Sequence, residues 1–453
     1  MNNWKRILLC TLALISTKTY AGGFLLWEQN GAGLGDYHAG SAVDAEDAST
    51  EYYNPAGLPY IKHTQAVAGV VMIPTDIEFN GTVQVSSVNP PPELPQNISE
   101  AQGGGINFIP NLHFAQPINS KLTWAFGIDV PYGLKTDYSA STYIRYAGTE
   151  TLLETVDFSP SLGYQLTKDF SVGAGFDAVH AHAKFDQYAG GPTPILDTTS
   201  DNDLNSWGFG YHLGVLYQWT PKARVGLAYR SKVVEDLTGK STFTGYLANG
   251  NFGNGIDAIG NQISNNLKST ITLPPTTTLS GLYDATDKVR LLASTTYTQW
   301  SYIKALLLQN VASVDTETWQ AINNAEVYIQ QDFRNTWNFS VGTEYKVDST
   351  VKLRAGAGYD QTPVRNSTLR YIQTPDADRY ALAIGGQFTP NKKIAIDIGW
   401  THLFILKAPI NSSAILGTNP NTPNTPGGET VTVQGDVDST ADVFGFQVAW
   451  NFD

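Results

Sequence analysis

Cysteine is almost missing from this chain of 453 residues, and the one present, Cys10, lies near its start. Met1 to Ala21 has a charged beginning (Lys5, Arg6), an apolar run from Ile7 to Ile15 and the small-residue close Thr19-Tyr20-Ala21. That is the pattern of a secretory leader cut after Ala21. The remaining 432 residues hold no thiol, which excludes disulfides, thiolate metal sites and a cysteine nucleophile. Long hydrophobic runs are missing too. No stretch after the leader approaches 18 apolar residues, so no transmembrane helix is expected. Basic charge is scarce: three of the 28 Lys and Arg residues (Lys5, Arg6, Lys18) fall in the leader, leaving 25 against 41 acidic residues, a net charge of −16. Nucleic acid needs a basic footprint and is excluded as a partner.

What the chain does have is alternation. At its end Phe444, Phe446, Val448, Trp450 and Phe452 are interleaved with Gly445, Gln447, Ala449 and Asn451. Period 2 with aromatic ends is the signature of a lipid-facing strand. Trp337, Phe339, Val341, Thr343 and Tyr345 alternate with Asn338, Ser340, Gly342 and Glu344. Val351, Leu353, Ala355, Ala357 and Tyr359 oppose Lys352, Arg354, Gly356, Gly358 and Asp360, and Ile394 to Trp400 repeats the pattern. Charges and glycines on the second face suit a polar lumen. An antiparallel sandwich with one wet face would also alternate. The leader and the aromatic ends favour an all-β transmembrane barrel in the outer membrane of a Gram-negative bacterium. A mean hydropathy of −0.19 is compatible, because only every second barrel residue meets lipid.

The connections alternate in length. Short ones are expected at Pro117–Leu122, Thr167–Asp169, Thr220–Lys222, Asp284–Lys288, Lys346–Ser349 and Thr389–Lys393. Long polar ones are expected near 80–106, 133–153, 188–205, 238–266, 304–326, 361–378 and 405–441. Six turns and seven loops join fourteen antiparallel strands, with short turns on the periplasmic side. The last loop carries the Pro- and Asn-rich tip Asn419 to Gly428. The segment 22–62 fits no strand. It is rich in Gly, Ala and Asp, but Phe24, Leu25, Leu26, Trp27, Tyr52 and Tyr53 argue against a disordered tail. Its expected place is inside the tube, as a plug. The expected organisation is a leader at 1–21, a hatch at 22–62 and a barrel at 63–453.

At this point the residues match a known pattern. Gly33-Leu34-Gly35, the acidic stretch Asp44–Asp47 and Asn54-Pro55-Ala56 resemble the hatch of the FadL-type transporters of long-chain fatty acids and other hydrophobic compounds. Pro110-Asn111-Leu112-His113-Phe114, Tyr132-Gly133-Leu134, Ala183-Lys184, Trp207-Gly208-Phe209-Gly210, Thr298-Gln299-Trp300-Ser301 and Asp378-Arg379 follow in order. The resemblance spans nearly the whole mature chain, although each motif alone is weak. It implies a fourteen-stranded barrel with a hatch and no open water channel. Ligand would be caught in an outer groove, pass to an apolar pocket and leave sideways where the third strand kinks. The hatch trigger would be Asn54, Pro55 and Ala56, touching that strand. The opening would involve Val130, Pro131, Tyr132 and Gly133, with Asn107 facing them.

The residues support the kink independently. Trp124, Phe126, Ile128, Val130 and Tyr132 share the phase expected to face lipid, with Pro131 inside the run. Proline cannot donate to a ladder, and a barrel offers no free edge to excuse it. A sideways exit is also the cheaper one. Burial is worth ~0.8 kcal/mol per CH₂, and a watery pore would forfeit it. The pocket is expected to include Phe24, Leu25 and Leu26. The resemblance places its basic head-group residues at Gln187 and Ile329, neither of them basic here. The nearby His182, Lys184 or Arg334 would substitute, or the acid would enter protonated, or the ligand would be an uncharged hydrocarbon. Long-chain fatty acid is the first expectation. A diffusion porin and an adhesin are the rivals of another class.

Other signals carry less. Gly31 to Gly35 resembles a dinucleotide loop without its βαβ unit. His180 and His182 share a strand face but lack a visible third metal ligand. No serine has a recognisable nucleophile context, so no enzyme is expected. No cofactor or metal is implied. The expected partners are a hydrophobic small molecule and outer-membrane lipid, and the expected state is a monomer. The final pair Phe452-Asp453 departs from the usual aromatic terminus, and Phe452 is expected to keep the outward phase.

Overall fold

The computed structural model describes residues 23–86, 94–190, 197–249, 259–315, 320–416 and 429–452. The leader, the 419–428 tip and Asp453 lie outside the described residues. Fourteen antiparallel strands form the wall. They are β1 (Gln65–Ser86), β2 (Gln96–Gln102 and Ile106–Pro117), β3 (Leu122–Asp129 and Gly133–Asp137), β4 (Glu150–Gln165), β5 (Phe170–Phe185), β6 (Thr198–Thr220) and β7 (Ala223–Arg230 and Val233–Gly245). Then come β8 (Gly260–Leu273 and Thr276–Asp284), β9 (Val289–Thr298 and Ala305–Val314), β10 (Ala321–Gln330 and Thr336–Lys346), β11 (Val351–Asp360), β12 (Arg379–Asn391), β13 (Ile394–Ile405 and Ala408–Leu416) and β14 (Glu429–Asn451). β14 pairs with β1 from Gln65↔Asn451 to Ser86↔Thr430 and closes the barrel. No helix of the described residues is long and apolar enough to cross a membrane.

The alternation explains the wall. Along β6, Trp207, Phe209, Tyr211, Leu213, Val215, Tyr217 and Trp219 all stand exposed on the outer face. Twelve residue steps cover roughly 40 Å of strand, or roughly 28 Å along the normal at a tilt of about 45°. A tryptophan at each end of such a band matches the two interfaces of a bilayer. Phe452 keeps the phase of Phe444, Phe446 and Trp450; it is exposed and stacks on Trp450 at 5.7 Å.

Several strands outrun their expected limits. β1 continues to Ser86, β2 restarts at Gln96, and β13 and β14 reach Leu416 and Glu429. Most of the loops expected to be long are therefore shorter, although 361–378 has the expected extent. Beyond the bilayer both strand faces meet water, so the hydrophobic alternation that marks a strand in sequence fades while the ladder continues.

Residues 23–62 lie inside the tube. Glycines on the inner face mark their path, because a side chain there would collide with the inserted backbone. A Cβ on Gly356 would meet Asp36 O at 2.2 Å, one on Gly173 Pro55 C at 2.2 Å, and one on Gly226 Ala42 O at 2.0 Å. Short 3₁₀ turns at Gly33–Asp36 and Pro55–Tyr60 and one helical turn at Thr50–Tyr53 fold this hatch.

Candidate functional site

The wall is broken between β2 and β3. Their ladder runs from Pro117↔Thr123 to Leu112↔Ile128 and stops. Among the described residues, the ladder of Ile106 to Asn111 is with β1 and that of Gly133–Asp137 is with β4. Across the seam, backbone bonding resumes among the described residues at Asp137 N–H to Gly103 O, 3.1 Å. Two prolines flank the break, Pro110 and Pro131, and neither can donate. The free edge of β2 presents Ile106 and Phe108 outward and exposed, so the break lies in the apolar band.

The expected outward phase of β3 ends at Ile128. Val130 and Tyr132 are buried, 6% and 3% exposed, which corrects the expectation that they face lipid. Freed from β2, the chain turns into the lumen and finds its hydrogen bonds there. Leu26 N–H donates to Pro131 O and Gly133 N–H to Phe24 O, both at 2.9 Å, around an antiparallel bridge between Leu25 and Tyr132. Gln29 completes the match: its Nε2 donates to Val130 O at 2.7 Å and its Oε1 accepts from Val130 N–H at 2.9 Å. The hatch thus stands in for the missing strand. The register also corrects one pairing. Continuing Leu112↔Ile128 inward puts Pro110, not Asn107, opposite Val130. Asn107 is buried and donates to Ile73 O on β1.

A charged network ties the hatch to β2 and β3. His113 Nδ1 lies 3.0 Å from Glu51 Oε1, and its Nε2 lies 3.1 Å from Gln29 O and 3.6 Å from Asp129 Oδ1. Ser159 and Ser161 donate to Glu51. Arg230 bridges Asp157 (2.7 Å) and Asp177 (2.6 Å) and donates to Tyr52 O. A second network holds Glu46 among Arg290, Lys352 and Arg354, with Glu344 and Asp397 behind them. Burial opposes the Glu46 charge, but Lys352, Arg354 and Arg290 keep this carboxylate well below its usual range. Two groups approach metal-ligand spacing, Glu51 with His113 and Asp129, and Asp44 with Glu46 and Glu344. In the first both ring nitrogens already have partners; in the second Arg290 and Lys352 supply the positive charge.

Asn54-Pro55-Ala56 sits elsewhere than expected. Asn54 Oδ1 accepts from Ala56 N–H at 3.0 Å, while its Nδ2 donates to Ala42 O and to Val215 O on β6. The turn rests on Gly163, Gly173 and Gly214 of β4, β5 and β6. The segment at the kink is Phe24 to Gln29.

Two cavities lie behind the break. The smaller, about 40 Å³, is lined by Thr75, Ile77 and Leu134 beside the seam and by Phe24, Phe333 and Arg379. The larger, about 100 Å³, shares Phe24, Leu134, Phe333 and Thr374 with it and adds Leu153, Phe185, Ile271, Leu306, Ile329 and Gln331. Phe24 packs edge-on against Trp300 at 4.7 Å between them. Of the residues expected in the pocket, Phe24 and Ile329 line it. Leu25 packs with Tyr132, and Leu26 with Leu34, Ile109 and Val130. Gln187 pairs with Ser200 at the outer end of the wall. The basic candidates are engaged by acids: Lys184 with Glu150 (3.7 Å), His182 with Asp203 (3.4 Å) and Arg334 with Asp378 (3.6 Å). Arg379, beside the smaller cavity, is held by Asp376 (2.9 Å) and Asp360 (3.6 Å).

A barrel filled by its own N-terminal segment, with a broken seam closed by that segment, is a plugged transport barrel of the outer membrane. The chain belongs to the family described as Outer membrane protein transport protein (OMPP1/FadL/TodX), matched over residues 12–452. It is 31% identical to the long-chain fatty acid transport protein of Escherichia coli over 424 residues, 88% of this chain and 90% of that one. Its fold is similar to a Pseudomonas aeruginosa FadL homologue at TM-score 0.78 and 24% identity, covering 95% of this chain and 100% of that one. It is also similar to the Pseudomonas putida toluene transporter TodX at TM-score 0.69 and 16% identity, covering 95% and 100%.

Proposed function

We propose that the protein carries long-chain fatty acids across the outer membrane and releases them sideways through the break between β2 and β3. The leader 1–21 would be removed, 22–62 would act as the moving hatch, and 63–453 would form the barrel, working as a monomer. The observation that carries this reading is the hatch strand Phe24–Gln29 occupying the hydrogen-bonding positions of the interrupted wall. Withdrawing it would connect the apolar cavities with the apolar edge Ile106 and Phe108. A long acyl chain would then step from one apolar environment to another and lose little transfer energy. The 31% identical relative supports the substrate class. Uptake of uncharged aromatic or aliphatic hydrocarbons by the same route is the second reading, favoured by a lining of the larger cavity that, among the described residues, holds no charged side chain.

A disulfide tests the hatch. Leu25 and Tyr132 flank the bridge as a non-hydrogen-bonded pair, whose Cα atoms lie about 4.5 Å apart in such ladders and within disulfide reach. The mature chain has no competing thiol. Leu25→Cys with Tyr132→Cys, oxidised, is expected to fold and to lose at least tenfold in uptake of a labelled fatty acid, with recovery on reduction. Uptake that stays normal in the oxidised protein would show that the hatch strand need not leave.

A further inference from the structure

We propose that Gln331 and Thr374 form a head-group subsite in the larger cavity for an uncharged hydroxyl donor, so that a fatty acid is held there as the protonated acid. This rests on the reading that the cavity holds the transported ligand. Gln331 is 7% exposed and lines the cavity, and its Oε1 is buried without a hydrogen-bond partner. Thr374 lines the same cavity, and its Oγ1 is likewise buried and unpartnered. The rest of the lining is aliphatic, aromatic or neutral polar. Among the described residues no Lys, Arg, His, Asp or Glu belongs to it, and its one titratable group there is the phenol of Tyr302. In the adjoining cavity Arg379 faces Asp376, and Asp360 stands behind it, which leaves acid in excess there.

The chemistry follows from that inventory. A carboxylate brought into such a lining would lose its water and meet no opposite charge. Only the neutral amide of Gln331 and the hydroxyl of Thr374 would meet it, neither of which supplies the charge that a dehydrated carboxylate needs. A protonated acid has an O–H for Oε1 to accept, and its carbonyl can take the Thr374 hydroxyl proton. A fatty alcohol meets the same demand. A methyl ester cannot donate, and an alkane leaves both polar atoms unpaired.

The experiment uses the full mature protein in neutral detergent and measures binding of labelled dodecanoic acid, dodecanol, methyl dodecanoate and dodecane between pH 5 and pH 8. A free carboxyl group titrates near pH 4.3, so acid binding is expected to fall about tenfold per pH unit, while alcohol binding stays flat. The alcohol is expected to bind about fivefold to tenfold more tightly than the ester. Gln331→Leu should erase that preference by weakening the alcohol and leaving the ester unchanged. Thr374→Val provides the same reading if the first variant does not fold, heat-modifiability on gels being the folding check. Equal binding of the acid at pH 5 and pH 8, or equal binding of alcohol and ester to the unmodified protein, would overturn the subsite. Failure of all four ligands to bind would instead overturn the assignment of the cavity to the ligand.

Discussion

The seam between β14 and β1 and the seam between β2 and β3 obey one rule in two ways. Buried in lipid, every backbone N–H and C=O must find a partner within the protein. The first seam meets this along its length, with ladder pairs from Gln65↔Asn451 to Ser86↔Thr430 interrupted only around Met72 to Thr75. The second stops at Leu112↔Ile128, and the hatch supplies bonds to Pro131 and Gly133 from its backbone and to Val130 from the Gln29 side chain. The first is held by two strands that are joined to the rest of the wall on their other sides. The second is closed by a segment that is not a wall strand; it is held by a few hydrogen bonds to β3, by the packing of Phe24 and Leu26, and by hatch contacts such as Glu51–His113 and Glu46 with Arg290 and Lys352. A continuous wall resists opening cooperatively, while a borrowed strand can be withdrawn without unzipping its neighbours.

The largest effect should come from breaking the continuous seam. Val448 is paired on both sides, with Ala68 of β1 and Ile396 of β13. Val448→Pro removes a ladder donor and imposes a ring where no free edge exists, at a cost of about 3 kcal/mol or more. The variant is expected to yield almost no heat-modifiable protein in outer-membrane fractions, whereas the β2–β3 seam already contains Pro110 and Pro131 in a folded barrel. Normal levels of folded Val448→Pro would mean that the two seams tolerate interruption equally.

A smaller effect should follow from loosening the hatch without touching either seam. A Cβ on Gly214 would meet Asn54 Oδ1 at 1.8 Å and Pro55 Cδ at 3.2 Å. Gly281, on the outer face in phase with the exposed Leu279 and Tyr283, has nothing within 4 Å of that position. Gly214→Val is expected to insert into membranes and to show ion conductance in planar bilayers. Gly281→Val should remain closed. If both conduct alike, the hatch does not depend on the Asn54-Pro55 seat for its position.

The two seams were unequally legible in sequence. The closing strand announced itself through Phe444, Phe446, Trp450 and Phe452, because a lipid face must be apolar at every second residue. The break announced itself through Pro131, since a missing donor is visible in one letter. What filled the break was not legible, because Phe24 to Gln29 is joined to Val130 through backbone atoms and one glutamine, none of which leaves a pattern in composition. The inward turn of Val130 and Tyr132 was hidden for the same reason: their alternation with Trp124 to Ile128 is unbroken, and only the lost ladder reverses their direction. Gly342, Gly356 and Gly358 were read as lining a polar lumen. Their closer meaning, the footprint of the hatch, lies in the segment that touches them, Asp36 and Tyr37 among its residues. The Glu46 network joins the hatch to residues at least 244 positions away and the Arg230 network joins residues 53 to 178 apart, and charge alternation on single strands does not say which partners meet.

The smallest expected effect concerns the proton balance of the borrowed strand. Glu28 lies within it, 4% exposed, with Oε2 unpartnered. Burial pushes its carboxyl up to about 7 from 4.5, against the pull of its own backbone amide and of Arg379. A docked Glu28 therefore keeps its proton between these two values, where a released and hydrated one gives it up. Docking is unaffected below about pH 4.5, weakens as pH rises through this window, and carries the full penalty above about pH 7. Hydrogen exchange of the Phe24 to Gln29 amides, corrected for intrinsic rate, should accordingly quicken between pH 4.5 and 7. Glu28→Gln keeps the shape and removes the titration, so its exchange should stay slow across that range. A variant that follows the same pH curve as the unmodified protein would show that Glu28 does not set the strength of the closure at the broken seam.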